Sequence, residues 1–297
     1  MRTIHLQDYA SAIHLQDKFT PSLIDLNHKA ELVDELLAAF LQENEYVGHS
    51  ELPIHYADKR KLLRGILTVR GPHTIATPYQ EKLDSLLQAE LKEQEVVQAE
   101  RLASISVQFP KTPFRSADKF ILWQGDITRL NADAIVNAAN KYMLGCFQPG
   151  HTCIDNAIHS AAGPQLREDC NIIMSMQGEY ELTGGAKITR GYHLPSTYVL
   201  HTVGPIVPEG TPLQEIHRLQ LASCYRSCLE LANEVAEIRT IAFCAISTGV
   251  FGFPKSEAAR IAIKTVDEWL IQNPHHFDKI IFNVFSSADY LEYVNVF

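Results

Sequence analysis

Two textures of apolar and polar positions divide the chain. Over the first 115 or so residues, apolar side chains recur at helical spacing: Leu32, Val33, Leu36, Leu37, Phe40 and Leu41 share one face of a predicted helix over 27–45. Leu83, Leu86, Leu87 and Leu91 mark a second, expected over 77–102, with Thr77-Pro78 as its N-cap and first helical residue. A shorter helix is expected over 58–69. The prolines of Phe109-Pro110-Lys111-Thr112-Pro113-Phe114 block regular structure, which places a domain boundary there. The division is a helical N-terminal domain over 1–115 and a second domain over 116–297.

Beyond that boundary, short apolar runs alternate with longer amphipathic ones. Strands are predicted at 119–123, 134–137, 186–192, 198–203, 240–246 and 279–285, and helices at 154–162, 164–176, 213–233 and 255–272. Alternation of this kind predicts an α/β sandwich around a mostly parallel sheet, whose ligands settle at the carboxyl ends of the strands.

Composition narrows the partners. The chain has 297 residues, 46% of them hydrophobic, and a formal net charge of −9. That balance argues against non-specific binding to nucleic acid or to an anionic membrane. An anionic ligand would have to be held by backbone amides and helix N-termini. Residues 1–17 carry no continuous apolar run, so no secretory signal is read there. The most apolar stretches, 241–246 and 280–285, are of strand length. The six cysteines are therefore expected to be thiols or ligands, and the protein cytoplasmic.

The densest chemistry lies between Asn137 and Ala162. Cys146, His151 and Cys153 offer three zinc ligands within eight positions, and Asp155 follows. Three protein ligands leave a tetrahedral ion one open position, the pattern of a catalytic zinc. Two plainer readings stand beside it: a purely structural zinc, and cysteines that are small buried hydrophobes. His159 reads as a helix-packing or hydrogen-bonding residue rather than a fourth ligand, and Cys170, Cys224, Cys228 and Cys244 as core thiols. Asn137 and Asn140 have an ordinary reading as caps of a strand end. Ser247-Thr248-Gly249-Val250-Phe251-Gly252-Phe253-Pro254 follows a strand and runs into a helix, which is the build of an anion cradle.

Taken together, these segments resemble the macrodomain family of ADP-ribose-binding proteins. The resemblance covers 116–297 and is carried by Gly-Asp-Ile-Thr at 125–128, Asn-Ala-Ala-Asn at 137–140, Ile-Asp-Asn-Ala-Ile-His-Ser-Ala-Ala-Gly at 154–163, Thr-Gly-Gly-Ala at 183–186, His-Thr-Val-Gly-Pro at 201–205 and the 247–254 stretch. It implies a three-layer α/β/α sandwich with a mixed, mostly parallel sheet. Where most macrodomains that cleave ADP-ribosyl bonds carry a glycine-rich run, this chain has Gly-Cys-Phe-Gln-Pro-Gly-His-Thr-Cys at 145–153. That departure is similar to a zinc-containing bacterial branch with an extra N-terminal helical segment. Members of that branch look like protein-ADP-ribose hydrolases that work with a sirtuin-type ADP-ribosyltransferase and a lipoylated carrier protein.

Carried over by position, the resemblance implies that Asp126 and the Ile127 amide meet adenine and that Phe285 stacks on it. The amides of Ile154, Ser247, Thr248, Gly249, Val250 and Phe251 would hold the diphosphate. Asn140 and Asp155 would address the distal ribose as catalytic residues, with Zn2+ on Cys146, His151 and Cys153, and Cys153 against the substrate. The expected activity is zinc-assisted hydrolysis of mono-ADP-ribose from protein side chains. A non-catalytic ADP-ribose reader and a deacetylase of O-acetyl-ADP-ribose are the alternatives.

Overall fold

In the computed structural model, which describes residues 3–24, 29–43 and 52–297, the chain builds two main hydrophobic cores of unequal size. The strands in chain order are β1 (Val97–Gln98), β2 (Phe120–Gln124), β3 (Leu130–Asn131), β4 (Ala134–Ala139), β5 (Ala186–Arg190), β6 (Tyr198–Val203), β7 (Thr240–Phe243) and β8 (Lys279–Val284). Six of them form one sheet in the order β2-β8-β7-β4-β6-β5, parallel throughout except for β5 at one edge. β6 is buried at every position, as a strand covered on both faces must be.

Helices α1 (Leu6–Tyr9), α2 (Lys29–Glu43), α3 (Tyr56–Val69), α4 (Thr77–Lys92) and α5 (Ile105–Gln108) precede this sheet. Its two faces are covered by α6 (Ile154–Ala162) with α7 (Pro164–Gln177), and by α8 (Glu215–Asn233) with α9 (Lys255–Gln272). α10 (Ser287–Val294) closes the chain against α9 and β2. The result is the expected three-layer α/β/α sandwich with a mixed sheet. Among the described residues, no helix is long and apolar enough to cross a membrane.

The smaller core joins α2, α3 and α4 through Leu32, Leu36, Phe40, Leu63 and Leu86. The ends of the helix predicted over 27–45 lie outside the described residues. Two expectations need correction. Thr77 is the first helical residue rather than the cap, because the Ala76 carbonyl already accepts from Tyr79 and Gln80. The helix predicted to run to 102 stops at Lys92, because Val97 and Gln98 pair with Leu130 and Asn131. Tertiary pairing here overrides a helical spacing that continues in the sequence.

The cores do not divide at the proline-rich segment. Ile4, Tyr9, Ile13, Leu15, Ala99 and Ile105 all belong to the larger one. The Tyr9 hydroxyl accepts from the Ile188 amide at 3.0 Å, which occupies a donor on edge strand β5.

Asp84 joins the two bodies. Its Oδ1 accepts from Gln80 of its own helix at 2.6 Å, from Gln165 of α7 at 3.1 Å and from His193 at 3.0 Å, while Oδ2 accepts from the Ser22 amide at 3.2 Å. Burial alone would raise this carboxyl, but the bonds from His193, Gln80 and Gln165 hold it below its ordinary value. A depressed acid contributes stability above the unfolded-state pKa and loses it as pH falls through the folded value. Asp84→Ala should therefore cost about 1.5–3 kcal/mol at neutral pH. Urea melts of the two proteins should converge below about pH 4, and a gap independent of pH would count against the charged hub.

Candidate active site

All five parallel strands end at the same side of the sheet, so the loops after β2, β4, β6, β7 and β8 share one rim. After β2, Asp126 caps a short turn: its Oδ1 accepts from the Thr128 amide at 3.0 Å and the Thr128 hydroxyl at 2.7 Å. Oδ2 lies 3.8 Å from Arg129 Nε, and Ile127 beside it is buried. On the neighbouring strand end, Phe285 leaves 78% of its surface exposed, an open aromatic face. Asn283 ties the two ends by donating to the Gly125 carbonyl at 2.9 Å.

The loop after β7 is wound to expose amides. Thr248 donates to Ala245, Gly252 to Gly249 and Phe253 to Ser247. Among the described residues, the amides of Ser247, Gly249, Val250 and Phe251 donate to no protein acceptor. Ser247 holds φ +65°, a conformation that non-glycine residues rarely adopt. Its hydroxyl packs so closely on Gly204 that a Cβ there would lie 2.0 Å from Ser247 Oγ. Val250 is exposed, Phe251 half-buried, and Phe253 turns into the core.

Between β4 and α6 lies the polar centre of the rim. Cys153 is the N-cap of α6, its Sγ accepting from the Asn156 amide at 3.4 Å, so the Ile154 and Asp155 amides open the helix. Asp155, in that first turn, is buried; its Oδ1 accepts from Asn137 Nδ2 at 2.8 Å, and Asn140 Nδ2 lies 3.5 Å from Oδ2. Burial pushes its carboxyl up to about 6, against the lowering effects of the Asn137 bond and the Arg167 charge. Asn140 also donates to the Gly145 carbonyl at 3.1 Å and accepts from the Tyr142 amide at 2.9 Å, which shapes the loop leading to Cys146.

Cys146, His151 and Cys153 converge on one point: their ligand atoms all lie within 4.8 Å of one another, with Cys146 Sγ 3.5 Å from His151 Nδ1. All three are half-buried. Burial first, then the neighbouring Cys146 and Asp155, push the Cys153 thiol up to about 11. A cation beside it would join the Asn156 amide in favouring the Cys153 thiolate. Two sulfurs and one imidazole at this separation could hold a zinc ion.

The loop carrying that trio is fastened from behind. Arg167 of α7 donates from Nε to the Leu144 carbonyl at 2.8 Å and from Nη1 to the carbonyls of Leu67 and Arg70 at the end of α3. Its guanidinium lies 4.4 Å from the Phe147 ring centroid.

The structure thus brings Asn140, Asp155 and the Cys146–His151–Cys153 trio into one corner, with Asp126 and Phe285 on neighbouring strand ends. Asn137 is not a strand-end cap: it lies inside β4, fully buried, and bonds Asp155. His159 stands apart from the trio, in a second buried group with Cys170 and His201. Cys170 is accordingly a thiol among polar partners, whereas Cys224, Cys228 and Cys244 sit in the apolar core. The sequence reading passed over Arg167, Thr189 and the ring of His201; only His201 carried a signal, its place in His-Thr-Val-Gly-Pro.

Comparison with known proteins agrees with this geometry. The Macro domain family profile matches residues 136–262. A protein-ADP-ribose hydrolase of Staphylococcus aureus (strain MRSA252) is 43% identical over 246 residues, covering 83% of this chain and 87% of the relative. One from Treponema medium is 43% identical over 254 residues, covering 86% and 93%. Among solved structures, a Trypanosoma brucei macrodomain in complex with ADP-ribose matches at TM-score 0.58 and 30% identity, over 77% of this chain and 92% of that one. The Oceanobacillus iheyensis macrodomain with ADP matches at TM-score 0.52 and 39% identity, over 60% and 88%.

A carboxyl raised from 3.8 to about 6 favours the folded state most below the lower value and loses that contribution as pH rises through the upper one. Asp155→Asn should therefore stabilise chelator-treated protein by about 1–3 kcal/mol at about pH 8, with the melting curves converging near about pH 4. A variant that melts lower than wild type at the alkaline end would show that the ionised carboxylate is welcome where it sits.

Proposed function

The chain belongs to the macro domain family, and on that premise we propose that it hydrolyses the bond between mono-ADP-ribose and a modified protein side chain, with zinc at the distal ribose. One observation carries the reading: a buried carboxylate stands two residues from a convergent Cys–His–Cys trio. A pure reader of ADP-ribose needs the adenine and diphosphate contacts but neither of these.

In this reading, Phe285 supports the adenine face, worth about 1–3 kcal/mol, and the open oxygen of Asp126 accepts from the exocyclic amine. The diphosphate lies against the amides of Ser247 to Phe251 and of Ile154, where helix and loop donors suit an anion. Asn140 orients a hydroxyl of the distal ribose. Cys146, His151 and Cys153 would hold the ion, which supplies a Lewis acid beside that sugar. Asp155 accepts a proton from the attacking water, the water oxygen bonds the anomeric carbon as its bond to the protein side chain breaks, and a proton passes to the departing side-chain atom. The place of Asp155 between Asn137 and Asn140 aims its carboxylate at that corner of the rim.

Three measurements on the full chain test this. Purified protein should carry close to one zinc per chain, and Cys153→Ala should lose it. Asp155→Ala should lower turnover of a mono-ADP-ribosylated protein by about 100-fold or more while free ADP-ribose still binds. Phe285→Ala should instead weaken ADP-ribose binding by about 5- to 150-fold. Binding without turnover by the wild-type, metal-loaded protein would make it a reader; cleavage confined to O-acetyl-ADP-ribose would make it a deacetylase.

A further inference from the structure

Beneath Asp155 lies a layer of polar side chains that the proposed reaction does not use. Asn137 and His201 are register partners on β4 and β6, and Thr189 sits diagonally from His201 on β5, so all three share one face of the sheet. All three are fully buried. Thr189 Oγ1 lies 3.2 Å from the Arg190 carbonyl, to which it can give its proton, and 2.9 Å from His201 Nε2, from which it can accept. Asn137 Nδ2 can only donate, so Nδ1 of His201 accepts and the ring proton is on Nε2, which faces Thr189 Oγ1 and, at 3.8 Å, Cys170 Sγ. Asn137 Nδ2 lies 3.1 Å from that Nδ1 and 2.8 Å from Asp155 Oδ1. Each of its two protons has one destination. A flipped amide would turn its oxygen toward both the imidazole lone pair and the carboxylate, so the chain of bonds fixes which way Asn137 points.

We infer that His201, anchored by Thr189, is a positioning residue: it orients the Asn137 amide that in turn holds the Asp155 carboxylate in place. The inference rests on the reading of Asp155 as the group that works on water. Burial holds His201 down to about 3, so the ring stays neutral across the physiological range. The ligand atoms of His159, Cys170 and His201 also lie within 4.8 Å of one another. A metal ion there is the competing use of this layer, but it would need the Nε2 lone pair, and that nitrogen carries the proton given to Thr189.

The test is kinetic, on the full zinc-loaded chain, with the mono-ADP-ribosylated protein that the wild type turns over and with free ADP-ribose as the binding probe. His201→Leu should lower kcat by about 10- to 100-fold, with KM and ADP-ribose affinity within about twofold of wild type. His201→Asn, whose side-chain oxygen can reach the place of Nδ1, should recover most of that loss. Thr189→Val should cost about 3- to 10-fold in the wild-type background and nothing further beside His201→Asn, while Thr189→Ser should behave as wild type. The Thr189 pair keeps the test alive should His201→Leu fail to fold. The inference is overturned by an unchanged kcat in His201→Leu, by an equal Thr189→Val loss in both backgrounds, or by His201→Asn lowering the metal content. Asp155→Asn at the wild-type rate would instead remove the reading underneath, whatever the His201 variants do.

Discussion

A single buried guanidinium joins the parts on which this site depends. Arg167 stands on α7, yet its donors go to the end of α3 and to the loop before Cys146. Burial lowers its affinity for the proton, and the charge of Asp155 opposes that most strongly. Three carbonyl partners take up the donors of Nε and Nη1, which offsets part of the cost of burying such a charge. The loop carrying Cys146, His151 and Cys153 is thereby held from the helical unit as well as from the sandwich. α3 also lies close behind it, since a Cβ on Gly65 would come within 3.7 Å of Pro149 Cβ. The helical unit is structural support for the cysteine loop, and Asp84 secures its other end.

This joint was invisible in the sequence, and the reason is physical. Nothing local to Arg167 distinguishes it from a solvated arginine on an amphipathic helix; its partners lie 23 to 100 positions away. The sandwich strands were legible because strands buried on both faces read as apolar runs, and five of the six were found within two residues at each end. Helix α10 was missed: it is short, and the cap that starts it, Ser286 accepting from Asp289, looks like loop chemistry. The first residues were equally opaque, for the Tyr9 bond to Ile188 spans 179 positions.

The site itself was half legible. Asn140, Asp155 and the Cys–His–Cys trio were readable because they are local: one loop and one helix turn bring them together. Asn137, His201 and Thr189 come from three strands, and what unites them is register, which hydrophobic alternation does not state. The same contrast separates the two metal-competent clusters. The half-buried trio is set by spacing along a single loop, whereas the fully buried His159–Cys170–His201 group exists only once α6, α7 and β6 have packed.

Ser247 shows how a strained backbone is kept at such a rim. A non-glycine residue at positive φ costs of order 1 kcal/mol and persists only where its surroundings leave no alternative. Here the surroundings come from the loop after β6. Gly204 leaves room for the Ser247 hydroxyl, and the Val207 amide donates to the Phe251 carbonyl at 2.8 Å. Gly252, also at positive φ, would drive a Cβ to 2.6 Å from the Val207 carbonyl. The segments at 201–205 and 247–254, which look independent along the chain, are therefore two halves of one device. A side chain at Gly204 would push Ser247 out of the turn that leaves the amides of Gly249, Val250 and Phe251 open to an anion.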